Sequence, residues 1–245
     1  MTRQDGRREN ELRKIKITPD FTRSAEGSVL IEVGNTRVIC NATVEESVPR
    51  HVLGTGRGWV TAEYAMLPRA TSTRNKRDVS RLKLSPRSAE IQRLIGRALR
   101  AVTDLELLGE RSVIVDCDVI EADGGTRCAS ITGGYVALWI ALHRLCKAGV
   151  LEKIPLRGAV AAVSAGLVED TALLDLCYVE DSAAQVDMNV VMTDAGEIVE
   201  LQGTGEERPF TKKELSQIMT LAERGVKKLL SAQAKVIEAY AGKKG

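Results

Sequence analysis

The chain has 245 residues, 44% hydrophobic and 28% charged, a profile that allows one sizeable core or two small halves. Its net charge of +2 excludes a uniformly basic nucleic-acid binder, and 3% aromatic residues exclude base stacking as the main binding device. Five scattered cysteines without a Cys-x-x-Cys pair, and only His51 and His143, argue against a zinc site or a disulfide framework and suit a reducing cytoplasm. The first ten residues lack an apolar run, so no signal peptide is expected there. The longest apolar run, 135–142, is too short to span a bilayer, so no membrane association is expected.

In chain order, residues 12–18 alternate apolar and basic side chains and predict a strand. Residues 28–33 and 37–44 predict a hairpin turning at Gly34-Asn35, and residues 58–67 a further strand that Pro68 ends. Residues 69–83 change character, with Arg69, Arg74, Lys76, Arg77, Arg81 and Lys83 set against one acid, Asp78. This local basic cluster reads either as a solvated loop or as a contact for a phosphate backbone. Ser85 and Pro86 then open a helix with Ile91, Leu94, Ile95, Ala98, Leu99 and Val102 along one stripe. Arg87 falls in its first turn, where a cation opposes the helix dipole unless an anion or a structural carboxylate joins it.

Residues 112–122 predict a strand with Val113, Val115, Cys117 and Val119 on one face. An Asp123-Gly124-Gly125 turn follows, and Thr126-Arg127 begins a buried helix that runs to about Ala148. Free backbone donors, a hydroxyl and a guanidinium thus point to one spot, the outline of an anion site or of an ordinary tight turn with a solvated arginine. Residues 157–168 and 171–177 predict a hairpin through Glu169-Asp170, and residues 186–193 and 197–204 another through Asp194-Ala195-Gly196. Thr211-Lys212-Lys213-Glu214 is a capping box for a long C-terminal helix. The order predicts an α+β architecture, two small mixed β-sheets with helices packed between and against them.

Asp187 begins a largely apolar strand, and Asp181 lies one short turn upstream. Such carboxylates can share a divalent cation, split into proton donor and base, or serve only as turn and capping residues. The run Gly54-Thr-Gly-Arg-Gly58 lacks the Lys-Ser/Thr ending and the following helix of a P-loop.

Several long motifs, in order, carry a resemblance. They are Arg3-Gln-Asp-Gly-Arg7, GWVTAEYAMLPRAT (58–71), EIQRLIGRALRA (90–101), DCDVIEADGGTRCASITGG (116–134), VEDSAAQVDMNVVMT (179–193) and ELQGTGEERPF (200–210). Together they resemble the ribonuclease PH family, related to polynucleotide phosphorylase and the exosome ring subunits. The resemblance implies a single ribonuclease PH domain over 1–245 and removal of 3′-terminal nucleotides from tRNA precursors and other RNA. Inorganic phosphate would be the attacking co-substrate and nucleoside diphosphates the products. It assigns phosphate binding to Arg87, Gly125, Thr126 and Arg127, and Mg²⁺ binding and acid catalysis to Asp181 and Asp187. It further assigns tRNA contact to Arg69, Arg74 and Arg77, and implies a cytoplasmic homohexamer, a trimer of dimers. The approach to Arg87 through residues 83–86 departs from the family in holding Pro86 where a more glycine-rich run is expected. Gln185 receives no role. The alternative from another class is a non-catalytic RNA-binding or structural subunit of an exosome-like ring.

Overall fold

The computed structural model describes residues 3–77 and 83–242. Asp78 and Arg81, parts of the basic cluster, lie outside the described residues. The strands β1 (Ile15–Pro19), β2 (Gly27–Val33), β3 (Thr36–Glu45) and β4 (Trp59–Met66) precede the helices α1 (Pro86–Ala101) and α2 (Leu105–Leu108). Then come β5 (Ser112–Glu121), α3 (Thr126–Lys147), β6 (Val160–Val168), β7 (Thr171–Leu174), α4 (Tyr178–Ser182), β8 (Val186–Thr193), β9 (Ile198–Gly205) and α5 (Lys212–Ala241).

The α+β architecture is as expected. The first sheet has the order β1-β2-β3-β5-β4, and only its β4–β5 pair is parallel. A parallel pair needs a crossover, and α1 and α2 supply it, with α1 packed on β4. The second sheet, β7-β6-β8-β9, is antiparallel throughout.

Helix α3 lies between the sheets, which explains why its apolar residues run all the way round rather than along one stripe. Ile131, Val136 and Leu138 join a core with Val29, Ile31, Cys40 and Val115 of the first sheet and Ala162 and Val191 of the second. The opposite face of the second sheet, with Val163, Met188 and Val190, is covered by Ile218, Ala222, Val226 and Leu229 of α5. Helix α5 starts at the expected capping box, Thr211 with Glu214. Its buried Gln233 donates to Thr132 O at 2.9 Å and Val160 O at 3.0 Å, tying α5 to both α3 and β6.

Several expectations differ from the structure in detail. The first strand starts at Ile15 rather than at residue 12, because the Arg13 amide donates to Asp175 Oδ2 at 2.7 Å. The strand expected over 171–177 stops at Leu174, because Asp175 adopts φ +56° and leaves the sheet. The short helix α4, which follows at once, has a pattern too brief to show in the sequence.

Candidate active site

Four elements deliver charged groups to one cleft of about 750 Å³. Helix α1 begins where Ser85 Oγ accepts from the Ser88 amide at 3.0 Å, and Arg87 projects from that first turn. Helix α3 begins at Gly125, with Arg127 in its first turn. Asp181 comes from α4, and Asp187 from the start of β8. Arg87, Arg127, Asp181 and Asp187 all line the cleft, beside Asn189, Gln202 and Glu206.

The turn before α3 is built on glycine for a physical reason. Gly124 has φ +74° and Gly125 φ +66°, the left-handed region where a side chain is strained. A Cβ on Gly124 would also stand 2.5 Å from the Leu176 carbonyl, so the turn packs directly against the chain leading into α4. The Thr126 hydroxyl shares a 2.8 Å hydrogen bond with the Tyr64 hydroxyl, which anchors the helix start to β4.

The two arginines differ in what holds them. Arg87 is exposed and has no ion pair with a described residue. Arg127 donates from Nη1 to Gln202 Oε1 at 2.8 Å and to Glu90 Oε1 at 3.3 Å, and Gln202 Nε2 donates to Glu90 Oε1 at 2.9 Å. One guanidinium is therefore poised by carboxylate and amide, while the other is available to an anion.

The acids meet. Asp181 and Asp187 approach within hydrogen-bonding reach, which two carboxyls tolerate only by sharing a proton or a cation. Burial, then the neighbouring charge of Asp181, raises the Asp187 carboxyl to about 6. Burial also raises Asp181, against the opposing charges of Arg87 and Arg127. Asp187 Oδ1 is buried without a hydrogen-bond partner among the described residues. That orphaned oxygen, beside a second carboxylate, fits a hard oxygen-seeking cation. No cluster of three or more His, Cys, Asp or Glu placed for a metal occurs among the described residues. A cation here would therefore rest on the two aspartates and complete its shell with water and substrate oxygens, the habit of Mg²⁺.

Arg69, Arg74 and Arg77 are exposed and stand apart from the cleft. Arg69 lines a shallow pocket with Asn35, Thr71 and Asp123, and Arg77 lies close enough to Asp118 to oppose the burial that raises that carboxyl. Gln185, without an expected role, accepts from the Asp170 amide through Oε1 at 2.8 Å and so latches the β6–β7 turn.

Sequence reasoning missed Glu90 and Gln202, the partners of Arg127, and the buried N-terminal arginines behind the site. Glu90 and Gln202 both fall inside the long motifs, but nothing local links residues more than a hundred positions apart. Arg3 pairs with Glu180 and Arg13 with Asp175, each at 2.7 Å.

A cleft lined by two arginines and a carboxyl pair thus lies where a mixed sheet meets an antiparallel one around a buried helix. The same fold recurs in solved structures. Rrp46 of rice (Oryza sativa) matches with a TM-score of 0.77 at 17% identity, over 96% of this chain and 100% of that one. The Archaeoglobus fulgidus exosome with RNA bound to the active site matches with 0.80 at 23% identity, over 93% and 91%. An archaeal exosome core matches with 0.76 at 22% identity, over 95% and 91%. The chain belongs to the 3′ exoribonuclease family of ribonuclease PH type: residues 11–142 match the family's domain 1 and residues 158–225 its domain 2. No helix among the described residues is long and apolar enough to cross a membrane.

Proposed function

We propose that the protein is a phosphorolytic 3′-to-5′ exoribonuclease, a nucleotidyltransferase that trims tRNA precursors and other RNA with inorganic phosphate. The observation that carries this reading is the convergence of Arg87, Arg127, Asp181 and Asp187 from four separate elements on one cleft. Phosphate and a phosphodiester repel each other, so their approach needs fixed positive groups before bonds change. Arg87 and Arg127 supply two guanidinium forks, and the first-turn amides of α3 supply further donors. No side-chain nucleophile is needed, because a phosphate oxygen attacks the terminal phosphodiester. The bond to the 3′-oxygen of the preceding nucleotide breaks, and a nucleoside diphosphate leaves.

That 3′-oxygen must take up a proton. On this reading one acid of the pair Asp181 and Asp187, both raised by burial, gives it, and the other stays ionised. Mg²⁺ on Asp181 and Asp187, when bound, would neutralise charge developing on the scissile phosphate. Arg69, Arg74 and Arg77 form the outlying basic loop that holds the RNA upstream of its 3′ end. We place the protein in the cytoplasm as a homohexamer, a trimer of dimers. The likeness of its fold to exosome subunits supports a ring, and the scarcity of cysteine pairs supports the compartment.

An RNA labelled in its 3′-terminal nucleotide tests the reading. Release of labelled nucleoside diphosphate that depends on added phosphate is expected. Monophosphate release without phosphate would make the enzyme hydrolytic. RNA binding without release would make it the non-catalytic ring subunit instead.

A further inference from the structure

Two parts of the cleft depend on short local structures, the helix α4 and the turn that precedes α3. Asp181 sits on a helix of five residues, and Arg127 follows two glycines with positive φ. Both are tied to one N-terminal segment, residues 3–13. Arg3 is 2% exposed, and its Nε and Nη2 donate to Glu180 Oε1 and Oε2, each at 2.7 Å. Its fork continues to the carbonyls of Leu174 and Asp175, both at 2.9 Å. Glu180 precedes Asp181, and its Oε2 also accepts from the Cys177 amide at 3.0 Å, which caps α4.

Arg13 is 6% exposed and grips Asp175 through Nη2 at 2.7 Å and Nε at 3.0 Å. Its Nη1 donates to the Asp123 carbonyl, and Nη2 reaches the Gly124 carbonyl at 3.4 Å. Thr36 completes that hold, accepting from the Asp123 amide at 2.9 Å and donating to Gly124 O at 2.7 Å. Buried ion pairs of this kind add little net stability over apolar packing, whereas a fork with several bonds fixes direction.

We propose that Arg3 and Arg13 are positioning residues with divided tasks. Arg3, through Glu180, aims Asp181 at Asp187. Arg13, through the turn carbonyls, aims the α3 N-terminus and Arg127 at the phosphate. Neither touches substrate, and only the kinetic part of the idea rests on the phosphorolytic reading.

The test compares Arg3→Lys and the milder Glu180→Gln with Arg13→Lys and the milder Thr36→Val, in the full chain. Phosphorolysis is measured at varied phosphate, and hydrogen exchange is followed at the amides of α4 and at the Ala129 amide, which closes the start of α3 by donating to Gly125 O at 2.9 Å. The first pair should lower kcat by about 10-fold or more, with KM for phosphate within about twofold, because a small misplacement of a reacting group is costly. Exchange should quicken in α4 alone. The second pair should raise KM for phosphate by about 10-fold and quicken exchange at the Ala129 amide alone. Equal effects of all four variants on both parameters would overturn the proposal. So would lowered melting with unchanged kinetics and exchange, or loss of cooperative unfolding in both members of a pair, since the arginine would then hold the fold. If the unaltered chain releases no diphosphate, the phosphorolytic reading fails, while the exchange pattern still decides the division of tasks.

Discussion

Asp181, on a five-residue helix, and Asp187, on the strand that follows, bring their carboxyls within hydrogen-bonding reach of one another. Neither could do so without the chain reversal between them, where the Gln185 amide donates to Leu167 O at 2.8 Å and the β8 register begins. Proximity and burial together raise Asp187, and most of the expected chemistry follows from that pair and from the two arginines facing it.

The raised carboxyl gives a pH signature in metal-free protein. Asp187 is moved from 3.8 to about 6, so between those values the folded state binds more protons than the unfolded chain. Stability should therefore fall as pH rises through that window. Asp187→Asn removes the loss and should stabilise the protein at pH 8 by on the order of 2 kcal/mol, with the gain vanishing near about pH 4. Thermal melts in chelator at both pH values check this. A gain of equal size at both would place the effect elsewhere.

Arg127 carries a second expectation. Its fork is already oriented by Gln202 and Glu90, so replacing it removes a preset donor rather than a mobile charge. Arg127→Ala should cost roughly 10²-fold in phosphorolysis, by comparison with the loss of one transition-state donor. Arg127→Lys should recover only part, because an ammonium cannot reproduce two parallel bonds. Near-normal turnover of Arg127→Ala at saturating phosphate would remove the residue from the chemistry.

Gly124 tests the turn itself. With φ +74° and the Leu176 carbonyl 2.5 Å from any added Cβ, Gly124→Ala meets strain and a backbone clash together. A loss of about 1–3 kcal/mol is expected from the backbone strain, read by denaturant unfolding, with a fall in rate as α4 is pushed from its place. A variant as stable and active as the parent would show that the turn tolerates another path.

The basic loop gives a fourth. Alanine at Arg69, Arg74 and Arg77 should weaken RNA binding and reduce the slope of log affinity against log salt by about one for each phosphate the loop ceases to neutralise. Titrations at several salt concentrations measure it. An unchanged slope would take this loop off the RNA path.

Elements with local signals were legible in the sequence. The Gly34-Asn35 hairpin, the Ser85-Pro86 helix start, and the Thr211 capping box all stand where their short-range chemistry put them. The convergence of Arg87, Arg127, Asp181 and Asp187 was expected through the family resemblance and is a fact of the fold. What stayed hidden depends on distant partners. Arg3 and Glu180 are 177 positions apart and Arg13 and Asp175 are 162, and a lone arginine in a sequence does not say which acid it will meet. The end of β7 was hidden for the same reason, since Asp175 leaves the sheet to serve the N-terminal arginines.

On the proposed function, Arg87 and Arg127 hold the attacking phosphate against the acid pair. A crystal of the protein soaked in inorganic phosphate tests it most directly. One anion is expected between the two guanidinium groups, within about 3 Å of each and of a first-turn amide of α3, the distance of a charge-assisted hydrogen bond. An empty cleft at saturating phosphate would contradict it, as would an anion seated only in the separate pocket lined by Arg7, Arg13 and Lys14.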